Sequence, residues 1–370
     1  MHDELIPLGW DDALEAAWAL AAGPDGSAPA PARASRLDRG WSTLLLGPDG
    51  PQLRLRNIGA DVAVGDWVVP SADGERVDLV LPRRSAFVRR ASFEGARAES
   101  HTLAANIDVV FLLHALTSPP NPRRVERELV LAYDSGAMPV LLMTKADAVD
   151  DVRPTVAAVE DVALGVPVVP VSSRTGEGLE TIRSYAGDHY TMALLGSSGV
   201  GKSTLVNALV GREAQRTADV REGDQRGRHT TVAPELVALP GGGWLIDTPG
   251  LRAVSLWSSG RGIERAFADV FDLMDSCRFR DCKHEDEPGC AVQEAIAAGT
   301  LDPIRLISLK RLVAEEARIE DEQREKVKAD DRRGRPRPRP SADDDDLDDL
   351  DDDVDGLDDL DGDDVRSTPS

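Results

Sequence analysis

The spacing of apolar and polar residues changes period several times along this chain, and each change marks an element. Residues 8–22 put Trp10, Leu14 and Trp18 on one side of a helical pattern and then dissolve into Gly-Pro-Asp-Gly and an Ala/Pro run. Residues 1–36 are therefore predicted as a short helix and a flexible linker. The tryptophans suit packing on the protein's own body better than docking of a partner. Over residues 37–90 the period falls to two: strand-like runs at 42–46, 52–57, 66–69 and 76–81 are separated by turn signals at 47–50 and Asp73-Gly74, which predicts a small β-barrel. Within residues 100–260, apolar runs at 107–116, 139–143, 166–171 and 192–195 alternate with helix-like stretches at 123–135 and 152–164. That alternation predicts an α/β domain with a mostly parallel sheet covered on both faces, its ligand lying at the carboxyl ends of the strands. Further helices are expected from Ala291 and from Pro303.

Composition narrows the class. The chain has 370 residues, enough for two or three domains, and a formal charge of −23. Fifteen aspartates fall within residues 343–364, so the remainder carries only −8, and net charge alone argues for no nucleic-acid partner. Local patches must carry any such role. One candidate is the run Arg83, Arg84, Arg89, Arg90 and Arg97, which faces only Glu94 and reads either as a solvated linker or as an RNA contact. No apolar run is long enough to span a membrane and no leader pattern opens the chain, so a cytoplasmic protein with no membrane partner is expected. The three cysteines all lie between 277 and 290, a distribution that suits a reducing compartment rather than a disulfide framework.

Chemistry concentrates in a few short stretches. Residues 190–205 run from an apolar strand into glycines and then open a helix, matching GxxxxGK[ST] with Gly196, Ser197, Ser198, Gly199, Val200, Gly201, Lys202, Ser203 and Thr204. Backbone N–H groups converging on one point, a helix N-terminus and the Lys202 charge favour a phosphate chain, while the Ser203 hydroxyl is placed to hold magnesium. Two further loops precede this one. The strand at 139–143 runs into Thr144, Lys145, Ala146 and Asp147, and the strand at 166–171 runs into Ser172, Ser173 and Arg174. A carboxylate at Asp147 would accept hydrogen bonds from N1–H and the exocyclic amine of guanine, an edge adenine lacks. Lys145 would lay its stem over the base, and a backbone N–H near Ser173 would meet the guanine carbonyl. After the phosphate loop come Gly-Arg-His-Thr-Thr at 227–231 and Asp-Thr-Pro-Gly at 247–250, the expected sensors of magnesium and the terminal phosphate. Cys277, Cys282, His284 and Cys290 follow C-x4-C-x-H-x5-C, which suits one closed, structural zinc site.

In this rotated order the motifs resemble those of the RsgA family of small-ribosomal-subunit biogenesis GTPases, which are circularly permuted, and the resemblance covers residues 37–325 or so. It implies an OB-type β-barrel at 37–90, a circularly permuted P-loop GTPase domain at 100–260 and a zinc-binding helical module at 261–328, while beyond it the composition of residues 329–370, basic then acidic, predicts a disordered tail. It implies GTP/GDP with Mg2+, a structural Zn2+, a monomer, and the small ribosomal subunit with its rRNA as partner. Leu251 stands where many GTPases carry a water-orienting glutamine, so attention moves to His229, which either polarises the attacking water or contacts RNA. Thr231 is the expected magnesium ligand with Thr230 as the fallback, Asp247 would hold the metal through water, and the Gly250 backbone would sense the terminal phosphate. Thr144 departs from the commoner asparagine and Ser173 from the commoner alanine, which predicts weaker guanine affinity without a change of base. The alternative reading is a GTP-dependent RNA-binding regulatory module not dedicated to ribosome assembly. In the tail, Leu347, Leu350, Val354 and Leu357 recur at near-helical spacing and could order on a basic partner, although solvated disorder is the simpler expectation.

Overall fold

The computed structural model describes residues 2–23, 27–90, 100–187, 189–211, 234–247 and 261–334. The chain opens with a 3-10 helix, Asp3–Leu8, and a separate helix α1, Asp12–Ala22, rather than one helix through residues 8–22. The break has local causes. Gly9 takes the left-handed conformation that ends the first helix, and Asp11 accepts the Leu14 N–H to start the second. Trp10 is buried edge-on against Trp67 with ring centroids 4.8 Å apart, and Trp18 donates to the Pro29 carbonyl, so both tryptophans pack on the body of the protein.

Five strands follow: β1 Ala32–Asp38, β2 Trp41–Leu45, β3 Gln52–Arg56, β4 Trp67–Pro70 and β5 Val77–Val80. β1 was not legible in the sequence, where residues 24–36 read as linker. It pairs antiparallel with β2, with β4 and also with β12, Glu235–Ala238, of the next domain. A hairpin of β6, Ala86–Arg90, and β7, Ser100–Ala105, leads out of this unit.

The α/β domain contains β8 Val109–Ala115, β9 Met138–Thr144, β10 Val168–Val171, β11 Thr191–Gly196 and β13 Trp244–Asp247. These five run parallel in the order β10-β9-β8-β11-β13, with β12 antiparallel at β13, so β12 joins the parallel sheet to β1. β8, β9 and β11 are almost wholly buried, as unbroken apolar runs must be when helices cover both faces. The helices of this domain are α2 Pro122–Ser135, α3 Arg153–Glu160, α4 Leu179–Ala186 and α5 Lys202–Val210.

Beyond residue 260 lie α6 Arg261–Ala266, α7 Ala268–Met274, α8 Ala291–Ala297 and α9 Pro303–Gly334. Arg305 ties α9 to the rest: it makes two hydrogen bonds to Asp269, approaches Glu126 of α2 at 3.5 Å and lies over the Phe267 ring at 4.4 Å. α9 continues past Ala329, where disorder was expected, because neither glycine nor proline interrupts the chain between Pro303 and Gly334. Residues 335–370, the rest of the proposed tail with its acidic run, lie outside the described residues. No helix among the described residues is long and apolar enough to cross a membrane.

Candidate functional site

The phosphate loop forms where β11 ends against β8. Gly196 is needed there by contact: a Cβ would come within 2.9 Å of the Leu113 carbonyl oxygen. Gly201 is needed by conformation, since it enters α5 with a φ of 108°. Val200 is buried under the loop, while Ser198, Gly199, Ser203 and Thr204 are exposed and Ser197 half-buried. Lys202 folds over its own loop and donates to the carbonyls of Gly196 and Ser197 at 2.5 and 2.6 Å.

The residues expected to read the base, although far earlier in the chain, arrive at the same edge of the sheet. Thr144 ends β9, two strands from β11, and its buried hydroxyl donates to the Val200 carbonyl at 2.6 Å and lies 3.3 Å from that of His114. The threonine thus holds the phosphate loop directly, a role that its departure from asparagine did not announce. Lys145 turns the chain with a φ of 60°, and Ala146 and Asp147 begin a single 3-10 turn. Ser172, fully buried at the end of β10, donates to Asp147 Oδ1 at 2.6 Å and accepts from the Thr175 amide. That hydrogen bond, with the Arg174 guanidinium 3.6 Å away, holds the Asp147 carboxyl below the usual range. The carboxylate is therefore charged and fixed in direction before any ligand arrives. Ser173 follows half-buried in the same turn.

The residues expected to serve hydrolysis are less fully described. β13 delivers Asp247 beside β11, with Ala193 and Ile246 in register, but the Asp247 side chain is not among the described ones. His229, Thr230, Thr231 and Gly250 lie outside the described residues, as do Leu251 and Arg97.

Cys277, Cys282, His284 and Cys290 converge, their ligand atoms all within 4.8 Å of one another. Cys277 and Cys290 Sγ are 3.9 Å apart, and His284 Nδ1 lies 3.6 and 3.5 Å from them. Tetrahedral bonds of about 2.3 Å to sulfur and about 2.0 Å to nitrogen require edges of about 3.8 and about 3.5 Å, which the three atoms of Cys277, His284 and Cys290 match, so the group with Cys282 could hold zinc. The loop is braced independently. His284 takes a φ of 57° and its carbonyl accepts from Gln293, while the amides of Glu285 and Lys283 hold the Glu287 carboxyl down to about 2.

Two of the arginines read as an RNA contact are engaged within the protein. Arg83 pairs with buried Asp66 at 2.7 Å and bonds Thr102, and Arg84 pairs with Asp11 and Asp108. For these two, the charge balance that looked absent in the sequence is supplied by acids distant along the chain. A different basic surface emerges on the strands. Trp41, half-buried on β2, is flanked by the exposed Arg54 and Arg56 of β3, each guanidinium 5.2 Å from its ring. Tryptophan and arginine in register on paired strands could have been found in sequence only with the hairpin's pairing in hand.

The profile of the RsgA GTPase family matches residues 80–257. A Streptomyces coelicolor protein named small ribosomal subunit biogenesis GTPase RsgA is 43% identical over 336 residues, covering 86% of this chain and 88% of its own. A Methanosarcina acetivorans protein of the same name is 42% identical over 265 residues, covering 70% and 71%. Among solved structures, YjeQ from Thermotoga maritima superposes with a TM-score of 0.57 at 23% identity, covering 78% of this chain and 98% of that one. YloQ, described as a circularly permuted GTPase, gives 0.56 at 21% identity over 80% and 97%. These two structures speak for the fold alone.

Proposed function

Because this chain belongs to the RsgA GTPase family, we propose that it hydrolyses GTP as a late assembly and maturation factor of the small ribosomal subunit, stimulated by that subunit. It is a GTPase. The single observation carrying the site is the hydrogen bond from Thr144 to the Val200 carbonyl, which joins the base-reading loop to the phosphate loop as one surface. Asp147 reads the guanine edge, Lys145 covers the base, and the Ser173 backbone meets the carbonyl. Lys202 exchanges the two loop carbonyls for phosphate oxygens when nucleotide enters. Ser203 at the start of α5 and Asp247 on the neighbouring strand suit magnesium, which when bound neutralises charge on the transferring phosphate. Thr231, His229 and Gly250 are assigned to the metal, the water and the terminal phosphate respectively. Cys277, Cys282, His284 and Cys290 hold a zinc that orders the loop between α7 and α8.

The five strands β1–β5 are read as an OB-type barrel. The order β3-β2-β1-β4-β5 is brought round by an Arg56–Arg76 bridge between β3 and the start of β5. Trp41 with Arg54 and Arg56 forms the part of it that meets rRNA by stacking and phosphate contact. Trp41→Ala is expected to weaken co-sedimentation with isolated small subunits about ten-fold, stacking being worth about 1–3 kcal/mol per base. Undiminished binding would remove the barrel face from the interface.

The activity itself is tested by the GTPase rate with and without purified small subunits. A partner that completes a half-ordered phosphoryl-transfer site adds about three to five orders of magnitude. His229→Ala is expected to lose that stimulation while keeping GTP affinity within a few-fold. Stimulated turnover undiminished in the variant would take His229 out of the reaction, and no stimulation of the unaltered protein would favour the RNA-binding regulatory role.

A further inference from the structure

A cavity of about 330 Å3 opens between the N-terminus of α2 and the face of α9, lined by Arg123, Arg124 and Arg127 of α2 and Arg311 of α9, and also by the acids Glu126 and Glu315. Its charge is unusual for its position. A helix N-terminus is the positive end of the backbone dipole and favours acids, yet the first turn of α2 has none, and Asn121 makes no capping hydrogen bond with its side chain. Arg123 there adds like charge to the dipole without an acid partner of its own, while Arg124 and Arg127 are each paired with a glutamate, and a bound anion would relieve the remainder.

The acids nearby are already engaged. Glu315 pairs with Arg127, Glu128 with Arg124 at 2.8 Å, and Glu126 with Arg305 at 3.5 Å and with Ser308. Among the described residues, Arg123 and Arg311 have no ion pair within 4 Å, and both are exposed. Two guanidiniums of this kind, one from each helix lining a cavity at the lower end of small-ligand sizes, match a compact dianion.

The cavity also touches the nucleotide site through a chain of contacts. Arg124 holds Glu128, and Glu128 approaches His114 Nε2 at 2.9 Å without the alignment of a hydrogen bond. The His114 carbonyl lies 3.3 Å from the Thr144 hydroxyl, which in turn donates to Val200 of the phosphate loop. α2 also follows β8 at the same carboxyl edge of the sheet where that loop lies.

We propose that this cavity is a second ligand site, for a small phosphate-bearing anion, and that its occupancy changes nucleotide affinity through Arg124, Glu128 and His114. The site itself stands independently of the nucleotide assignment, and only its coupling rests on it.

The test is calorimetric titration of the full chain, saturated with GDP to fill the phosphate loop, with inorganic pyrophosphate. Binding at one site is expected, weakened at least ten-fold by Arg123→Ala and by Arg311→Ala. Both arginines are exposed, so these variants should fold, which the unchanged thermal transition would verify. Absence of binding to the GDP-saturated protein, or binding that survives both arginine substitutions, would overturn the site. A short oligoribonucleotide without terminal phosphate is the second probe. If it alone binds in a manner dependent on Arg123 and Arg311, the cavity is an RNA-backbone contact and the small-anion assignment fails. The coupling is read from GDP affinity with and without pyrophosphate: a shift of about five-fold or more is expected, abolished by Glu128→Gln. GDP affinity indifferent to pyrophosphate would overturn the coupling. GDP binding measured in every variant separates that failure from a failure of the nucleotide site itself.

Discussion

Asp147→Asn is expected to turn base selectivity from guanine to xanthine, with GTP affinity falling by about four orders of magnitude. The carboxylate can only accept hydrogen bonds, and guanine offers two donors on one edge, N1–H and the exocyclic amine. An amide at this position places a donor against the guanine amine, so one pair of donors meets head-on. Xanthine carries a carbonyl in place of that amine, and the asparagine NH2 can donate to it. The surrounding structure makes the exchange clean. Ser172 Oγ donates to Asp147 Oδ1 at 2.6 Å, and an asparagine can keep that bond by presenting its own carbonyl oxygen to the serine. Only the outward-facing atom then changes character. Equilibrium binding of fluorescent GDP and XDP to the two proteins checks it, and a variant that binds GDP as tightly as before would show that Asp147 does not face the base.

Removing zinc is expected to unfold the helical module while leaving the nucleotide site bound and working at its basal rate. Apparent binding energies for structural zinc run about 10–16 kcal/mol, as large as the whole stability of a typical domain. Here the ligands are also core. Cys290 is 2% exposed and precedes α8, and Cys277 and Cys282 pack against the same cluster as Ile263, Phe267, Val270 and Leu309. Without metal, three thiols and an imidazole would be left crowded among apolar side chains with too few partners of their own. Cys282→Ser, or treatment with a strong chelator, should release zinc measurable by atomic emission, expose residues 261–334 to limited proteolysis and lower helical circular dichroism. GDP binding should stay within a few-fold, because Thr144, Asp147 and Lys202 touch none of these helices in their described hydrogen bonds. A metal-free protein that kept its protease resistance would mean that packing through Arg305 and α9 suffices.

Much of the nucleotide site was legible in the chain because its chemistry is local. A strand, a glycine turn and a helix N-terminus within sixteen residues make a phosphate cup whatever surrounds them, and four metal ligands within fourteen residues carry their own spacing rule. β8, β9 and β11 were equally plain as unbroken apolar runs. β1 was hidden for a physical reason. Its pattern carries Arg33 at a position that is wholly buried, where the guanidinium donates to Leu8 and Thr191 and lies over Trp67, and burial pushes it down to about 10. An arginine reads as surface until its partners, one near the N-terminus and one at the start of β11, are known.

The amino-acid order by itself therefore pointed to the ligand classes: a guanine nucleotide with magnesium, as the GTPase family implies, and a Cys3His group of the kind that could hold zinc. Only the tertiary structure decided which charges are spent inside the protein and which face outward. It gave Arg83 and Arg84 to acids remote in sequence, set Trp41 between two arginines across a strand pair, and closed a basic cavity between α2 and α9. The reason is one of range. A motif's chemistry is fixed over a few covalent bonds, whereas a charge is balanced by whatever folding brings within about 4 Å, and no local pattern records that neighbour.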